Sequence, residues 1–331
     1  MKRLLASLLA TAVLSGCNST ANFTQPEMDI NNVSALTTFT PQAGSLNGEL
    51  LINGALNSQM LPNTPAQWSF SFKDQAGQPV TQFDLEHYKY MHLISVSSDL
   101  STFSHMHPTL NNDGSLKIDV NKPSTDPDNQ DTKSVTPKAG NYFLFTEVKP
   151  KSQKLMQTRF NVNTKGAESP LPINVDPQIE PNKYQKFFNE KSVLGKPGDK
   201  YKVHLHVYKM GQGDGGMIHF IYNIQKNVST SGAPNYQDVK DLQSWLGMDG
   251  HAIVVSKAGN TAKDKIFMHL HAGHHDHGDL NIMTKVYREA AGPKIEFVLV
   301  GASIPPAGVY KIWCQFKHQN QIFTAPFVVQ I

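Results

Sequence analysis

The chain of 331 residues carries 30 basic and 27 acidic side chains, a formal net charge of +3. This near balance gives no electrostatic reason to expect nucleic acid or an anionic surface as a partner. The length suits two domains at roughly 100 to 200 residues each, and no apolar run approaches the about 20 residues of a membrane-spanning helix, which excludes a polytopic membrane protein. The presence of 14 His and 11 Met beside only 2 Cys points to imidazole and thioether metal ligands.

The first 16 residues have the pattern of a signal peptide. A basic pair at positions 2 and 3 precedes an apolar stretch from 4 to 14, too short to span a bilayer. The run Leu14-Ser15-Gly16-Cys17 then resembles the lipobox of bacterial lipoproteins. The resemblance implies that Cys17 carries lipid such as palmitate and that Asn18 directs the protein to the outer membrane of the cell envelope. The alternative is a plain secretory signal with an incidental Cys.

Residues 17–45 are rich in Asn, Thr, Ser and Gln, which predicts a flexible tether behind the lipidated Cys17. Beyond them, short alternating strands are separated by Gly, Pro, Asn and Asp, and long helical periodicity is nearly absent. The clearest strand signals lie at 68–72, 93–96, 142–145, 201–208, 218–224, 295–300, 310–316 and 323–329. This pattern predicts an all-β chain with two tandem immunoglobulin-like or cupredoxin-like β-sandwich domains.

The chain contains an internal repeat, in which three motifs recur in the same order. The matching pairs are His92-Leu-Ile-Ser-Val-Ser with His251-Ala-Ile-Val-Val-Ser, Phe103-Ser-His-Met-His with Phe267-Met-His-Leu-His, and Ala139-Gly-Asn-Tyr with Ala307-Gly-Val-Tyr. We therefore predict a first domain at 46–165, a Pro-rich linker at 166–181 and a second domain at 182–331. A longer hairpin loop through 257–264 accommodates the wider spacing of the motifs in the second copy.

The repeated histidines form two predicted metal sites. Residues i and i+2 of a strand share a face, so each H-x-H motif pairs two imidazoles. A hairpin between the first two motifs brings His92 level with about His107, and a third imidazole joins the pair. The two sets are His92, His105, His107 and His251, His269, His271. Each set shares its face with Ile and Val, which predicts a position inside the sandwich rather than in open solvent. The alternative to metal binding is a structural hydrogen-bond cluster at the sandwich edge.

Copper is the metal that the residues favour, with zinc as the second choice. Neutral imidazole suits copper, zinc, nickel and iron, whereas thioether sulfur selects Cu(I). Met91, Met106, Met248 and Met268 all stand beside the motifs. The preference is slight, because three of them, Met248 excepted, are out of phase with their neighbouring His and face the other side of the strand.

The other histidines and the second Cys give weaker signals. His274, His275 and His277 follow in a Gly-flanked loop, where they either capture metal loosely or form a solvated polar loop. His204 and His206 make another H-x-H, expected on a solvent-exposed face, with a contribution to an interdomain site as the alternative. His87, His219 and His318 are interpreted as structural or surface residues. Cys314 is expected to be a buried structural thiol without a disulfide partner, since Cys17 is lipidated.

The motif His92-x3-Val96-Ser97-x-Asp99-Leu100-x2-Phe103-x-His105-x-His107-Pro108 resembles one found in secreted or lipid-anchored bacterial β-domains. Some of those domains occur beside heavy-metal-binding modules or copper-handling genes, so the resemblance implies envelope metal handling, copper foremost. It covers the core of the first domain. The second domain keeps the His and Phe positions but has Ala272 in place of Pro108.

Three functions remain in competition at this point. The first is a non-enzymatic lipoprotein that binds or buffers a transition metal at the two histidine sets. The second is a structural or adhesive lipoprotein whose histidines serve as hydrogen-bonded edges. The third is a zinc enzyme with three His ligands and an open position for water. The sequence has no H-E-x-x-H, no G-x-S-x-G and no P-loop to support this third function.

Overall fold

The structure, a computed structural model, describes residues 46–56, 59–190, 193–194, 197–211, 216–273, 294–300 and 304–331. The predicted signal peptide, the lipidated Cys17 and the tether lie outside the described residues. The same holds for His274, His275 and His277. Within the described ranges, no helix is long and apolar enough to cross a bilayer.

The first domain is an antiparallel β-sandwich. Its strands alternate buried and less buried side chains, as β3 does with Trp68, Phe70 and Phe72 on its inner side. The described strands are β1 (Asn47–Ile52), β2 (Ala55–Leu56), β3 (Ala66–Lys73), β4 (Pro79–Val80), β5 (Phe83–Asp84), β6 (Met91–Ser97), β7 (Phe103–Met106), β8 (Thr109–Leu110), β9 (Leu116–Val120), β10 (Gly140–Pro150) and β11 (Met156–Thr164), with a 3₁₀ helix at Gln130–Ser134.

The second domain repeats this architecture. Its described strands are β12 (Gln178–Glu180), β13 (Lys183–Glu190), β14 (Val193–Leu194), β15 (Tyr201–Met210), β16 (Met217–Asn227), β17 (Tyr236–Asp238), β18 (Met248–Ser256), β19 (Phe267–Gly273), β20 (Lys294–Val300), β21 (Val309–His318) and β22 (Gln321–Gln330). The predicted all-β class with two sandwich domains is confirmed. Strand β12 begins at Gln178, inside the segment predicted as a linker.

Each domain has an outer and an inner sheet. In the first, β2-β1-β3-β9-β8 with β4 is the outer sheet and β11-β10-β6-β7 with β5 the inner one. In the second, β12-β13-β15-β16-β17 with β14 and β20 is the outer sheet and β22-β21-β18-β19 the inner one. The inner sheets have the same strand order, so β6, β7, β10 and β11 correspond to β18, β19, β21 and β22.

The two inner sheets pack against each other and form a third apolar core between the domains. Leu93 of β6 faces the core of its own sandwich, whereas Ile94 and Val96 face the second domain. The buried members of this interdomain core are Ile94, Val96, Leu100, Phe143, Phe145, Ile253, Val255, Ala262, Phe267 and Trp313. The rings of Phe145 and Phe267 stack across it at 4.2 Å. The inner strands are therefore buried on both faces.

The segment between the domains is docked on this core. Ile173 packs against the interdomain residues. Asp176 and Val328 exchange two hydrogen bonds, the amide of Asp176 donating to the Val328 carbonyl at 2.8 Å and the amide of Val328 to Oδ2 of Asp176 at 2.7 Å. The connection thus adds contacts that hold the second domain against the first.

Candidate metal centre

The hairpin β6–β7 gathers the first histidine set. Its register pairs Leu93 with Met106 and Ile94 with His105, which brings His92 level with His107 as the sequence predicted. All three histidines are buried, and one ring nitrogen from each lies within 4.8 Å of the others. The edge strand β7 is held in place by side chains of the following segment, since Asn129 Oδ1 accepts the amide of His107 at 2.6 Å. We call His92, His105 and His107 the first triad.

The hairpin β18–β19 builds the second triad, His251, His269 and His271. Here His251 pairs directly with His271, and Ile253 pairs with His269. The ring nitrogens again lie within 4.8 Å of one another. Both hairpins therefore converge three imidazoles by the predicted construction.

The two triads face each other across the domain interface. The ring centroids of His105 and His269 are 4.9 Å apart, and those of His92 and His269 are 5.2 Å apart. The sequence analysis predicted that this face would line the interior of each sandwich, and that prediction is wrong. Because β6 and β18 are buried on both faces, the odd and even positions are both apolar, and alternation alone does not tell the domain's own core from the interface.

Each domain supplies a hydrogen-bond acceptor to the other domain's triad. Glu147 on β10 accepts a hydrogen bond from Nδ1 of His269 at 2.7 Å. Gln315 on β21 accepts one from Nδ1 of His105 at 2.8 Å. In the first triad, Nδ1 of His107 donates to the backbone carbonyl of Asp128 at 3.1 Å. An acceptor on one ring nitrogen fixes the tautomer and directs the other nitrogen toward a metal, as is usual for histidine ligands.

A turn before β6 adds a seventh imidazole to the cluster. The backbones of Glu86 and Lys89 exchange two hydrogen bonds, and the central residues His87 and Tyr88 have φ of 46° and 64°, the geometry of a type I′ turn. The ring of His87 lies 4.0 Å from that of His271, and its side chain is 4% exposed. His87 was interpreted as a structural or surface residue; the structure instead places its ring in the histidine cluster.

The equivalent turn before β18 covers the cluster with an aromatic ring. Trp245 and Met248 exchange two backbone hydrogen bonds, again around two residues of positive φ. The Trp245 ring lies 4.7 Å from His251 and 5.4 Å from His105, and its Nε1 donates to Asp128 Oδ1 at 3.1 Å. Each domain thus places the same kind of turn over the interface.

Burial keeps the cluster neutral. Desolvation lowers the pKa of every triad histidine, and neighbouring histidines lower it further; the pKa of His269 falls to about 3. Burial also raises the pKa of the Glu147 carboxyl, an effect that the nearby His92 opposes. Neutral imidazole is the form that binds metals.

Several imidazole nitrogens in the cluster are buried without a hydrogen-bond partner among the described residues. They are Nε2 of His107, both ring nitrogens of His251, Nε2 of His269 and both ring nitrogens of His271. In the first triad, Nδ1 of His92 and Nε2 of His105 lie 3.2 Å apart. Nε2 of His92 donates to the Glu86 carbonyl and Nδ1 of His105 donates to Gln315, so in the neutral rings these two nitrogens both present lone pairs. Their separation suits two ligands of one ion, since ligands about 2.1 Å from a tetrahedral ion are roughly 3.4 Å apart.

The remaining candidates lie away from the cluster. His204 and His206 are on β15, on the face opposite the buried Val203, Leu205 and Val207, and so at the outside of the second domain. His219 bonds to Glu296, and His318 bonds to Tyr201 and Asp241, which fits the structural role predicted for both. Cys314 is buried in the second sandwich, as predicted, and burial raises the pKa of its thiol.

Sequence reasoning missed Glu147 and Gln315, although a signal for them exists. Each follows the Ala-Gly-x-Tyr repeat at the same distance, and each has the phase of an interface aromatic two residues earlier, Phe145 and Trp313. No comparable signal exists for His87, because the turn sequences Glu-His-Tyr-Lys and Trp-Leu-Gly-Met share no residue.

A family model described as "Domain of unknown function (DUF8832)" matches the chain at residues 52–166 and 196–331. These two segments agree with the internal repeat. No curated protein shows significant sequence similarity to the chain.

Solved structures with some likeness are other tandem β-domains. A tetra-tandem repeat from the extending region of a large adhesion protein is 9% identical, with 87% of this chain and 49% of that one covered and a TM-score of 0.23; this chain thus spans about half its length. A two-domain fibronectin type III segment from chicken tenascin is 9% identical, with 87% and 99% covered and a TM-score of 0.21. TM-scores this low carry no inference about function.

Proposed function

The chain belongs to the DUF8832 family of domains of unknown function, and we propose that this member binds transition metal ions, copper foremost, in the histidine cluster between its domains. The observation that carries the proposal is the set of buried imidazole nitrogens on His107, His251, His269 and His271 that have no partner among the described residues. Each uncompensated buried polar atom costs about 1 to 3 kcal/mol. A bound ion would satisfy several of them at once.

The donor set is the argument for copper. Met91 and Met106 belong to the core of the first sandwich and Met268 to that of the second, so these thioethers point away from the cluster. The first ligands are therefore imidazoles, and for such sites Cu²⁺ binds more tightly than Ni²⁺ or Zn²⁺. Zinc remains the second candidate ion.

Binding rather than catalysis fits the position of the triads. An enzyme with three His ligands keeps a fourth position open to water and substrate. The triads instead lie between two packed sheets, beneath Trp245. The metal is then the cargo, and the lipobox-like sequence at Cys17 extends the proposal to an outer-membrane lipoprotein that buffers or carries metal in the bacterial envelope.

The experiment is a metal analysis of the full-length chain, purified in detergent without an affinity tag and titrated with Cu(I), Cu(II) and Zn(II). The test variant replaces His105, His107, His269 and His271 with Ala, and the matched control replaces His204 and His206, the H-x-H on the outer sheet. We expect one or two tightly bound ions in the wild type and the control and none in the test variant. Equal binding by all three proteins, or none by the wild type, would contradict the proposal.

The alternative is a structural or partner-binding surface lipoprotein whose histidines only join the two domains. The hydrogen bonds from His105 to Gln315 and from His269 to Glu147 favour it, because both cross the interface without any metal. In that case chelators and added metal leave the thermal unfolding midpoint unchanged, whereas a metal bound only by the folded state raises it.

A further inference from the structure

One equivalent position of the two inner sheets carries chemically different side chains. Glu147 on β10 and Gln315 on β21 are both buried, and each accepts the Nδ1 hydrogen of the first His in the other domain's H-x-H pair, His269 and His105 respectively. The two distances, 2.7 and 2.8 Å, are nearly equal. The two contacts therefore differ mainly in the charge of the acceptor.

Both acceptors are held by a side chain of the neighbouring strand, which is the edge strand of the same inner sheet. Nε2 of Gln157 on β11 donates to Oε1 of Glu147 at 2.7 Å. Nε2 of Gln315 donates to Oγ1 of Thr324 on β22 at 3.3 Å. The orientation of each acceptor is thus set by the strand pairing within its own domain, before any ion binds.

The carboxylate gives His269 the stronger ligand atom. A hydrogen bond from Nδ1 to a carboxylate raises the basicity of the opposite nitrogen more than a bond to a neutral amide does. Nε2 of His269 is also buried without a partner among the described residues, so it can bind an ion without breaking a hydrogen bond.

We infer that Glu147 is a positioning residue that makes the second triad, His251 with His269 and His271, the tighter site for a divalent ion and the first to fill. The inference rests on the proposed metal-binding function and adds the order of filling and the residue that sets it. Glu147 acts from the first domain on the second domain's site. The tight site therefore needs both domains.

The test follows Zn²⁺ binding to the full-length chain labelled with ¹⁵N-histidine, in detergent. Imidazole resonances, assigned with single His→Gln variants, show which triad responds to the first equivalent, and competition with a chromophoric chelator gives both affinities. The variants are Glu147→Gln, Gln315→Glu and the two combined. The matched control is Glu180→Gln, which changes an exposed carboxylate on the outer sheet of the second domain.

We expect His269 and His271 to respond first in the wild type and the control. Glu147→Gln should weaken the second triad by about 10- to 100-fold and the first triad less, because Glu147 is hydrogen-bonded to His269 but only lies near His92. Gln315→Glu should tighten the first triad, and the combined variant should narrow or invert the order. The apo spectra should show the Nδ1–H tautomer of His269 retained in Glu147→Gln, because the amide oxygen still accepts the bond.

Two results would overturn the inference while metal binding stands: an unchanged affinity of the second triad in Glu147→Gln, or equal weakening of both triads with a matching fall in the thermal midpoint, which marks a merely structural role. If neither triad of the wild type binds Zn²⁺ or copper, the proposed function fails and the inference fails with it.

Discussion

The hairpins β6–β7 and β18–β19 carry the same histidines on connections of different construction. In the first domain, residues 98–102 form a compact turn around the carboxylate of Asp99. Its Oδ1 accepts hydrogen bonds from Oγ of Ser97 at 2.6 Å and from the amide of Ser101 at 3.1 Å, and Lys138 pairs with the other oxygen. Most of these contacts come from its own domain, and Nζ of Lys311 on β21 adds one hydrogen bond to the Leu100 carbonyl at 2.6 Å.

In the second domain the connection is longer, residues 257–266, and the first domain contributes several of its hydrogen bonds. Nη1 of Arg159 on β11 donates to three carbonyls of this loop, those of Ala262, Lys263 and Lys265. Asn161 Oδ1 accepts the amide of Ala262 at 3.0 Å. The strand faces at the interface carry similar side chains because the two faces must pack together. The connections can differ because each is bound by a different set of residues.

Acid should destabilise the protein through the triad histidines, which both hairpins carry. We expect this to be the largest effect. Burial lowers the pKa of all six triad histidines, so the folded metal-free protein keeps them neutral while the unfolded chain takes up protons below about pH 6.5. The contribution of these neutral histidines to the free energy of unfolding is thus fully present above that pH. It falls below that pH by up to about 1.4 kcal/mol per pH unit for each histidine. Denaturant unfolding of the metal-free protein between pH 7.5 and 5 measures this slope.

The variant with Ala at His105, His107, His269 and His271 is the control for the acid effect and should show a shallower slope. A slope equal to that of the wild type would mean that these imidazoles are not held neutral in the folded state.

Truncating side chains of the interdomain core should have the next largest effect on the free energy of unfolding. Phe145→Ala and Phe267→Ala each remove a fully buried ring from the interdomain core, at a cost of about 3 to 5 kcal/mol. Because the two rings stack at 4.2 Å, the double variant should cost less than the sum by about 0.5 to 1.5 kcal/mol. Chemical denaturation of the four proteins measures the coupling. Strict additivity would show that the stacked contact does not form.

Replacing the carboxylate of each hairpin connection should lower the free energy of unfolding more in the first domain than in the second. Burial raises the pKa of Asp99, but hydrogen bonds from Lys138, Ser97 and Leu171 outweigh burial and hold that pKa well below its ordinary value of 3.8. Asp99→Asn should cost about 1 to 3 kcal/mol of unfolding free energy at neutral pH. Since the folded-state pKa is depressed, this difference is complete above about pH 4 and shrinks below it.

The control for Asp99 is Asp264→Asn in the longer loop. Its carboxylate is exposed and accepts its hydrogen bonds from within the loop, from Thr261 and the Asn260 backbone, so the cost should stay within about 0.5 kcal/mol. Equal losses from the two variants would contradict the difference between the turns.

The smallest effect should come from the third H-x-H motif. His204→Ala with His206→Ala changes the outer face of β15. Surface substitutions of this kind stay within about 0.5 kcal/mol, and the metal content should equal that of the wild type. Elemental analysis beside thermal unfolding checks both values. A lost ion would place a site on the outer sheet.

The sequence allowed the strands, the repeat and the register of His92 with His107 to be predicted, because alternation and spacing are local signals. The position of the histidine face between the domains was not predictable in this way. Strand β6 reads Met-His-Leu-Ile-Ser-Val-Ser and is buried throughout. When both faces of a strand are buried, neither face is polar, so alternation of polar and apolar residues does not show which face packs against a second domain.

His87 escaped prediction for a different reason. Its turn requires positive φ at two successive residues, and Asn or Gly usually marks such positions. Here they are His87 and Tyr88. Only the tertiary contact with the second domain, where the Tyr88 ring lies against Gly247, shows why the chain turns there.

The presence of Glu147 and Gln315 at equivalent positions of the two domains has a consequence for symmetry. In a twofold homodimer the two subunits come from one gene, so a given position carries the same residue on both sides of the axis. Here two copies of one fold face each other within a single polypeptide, and the codons for the two positions can mutate independently. One point mutation can therefore break the pseudo-twofold at its centre while the packing around it stays intact.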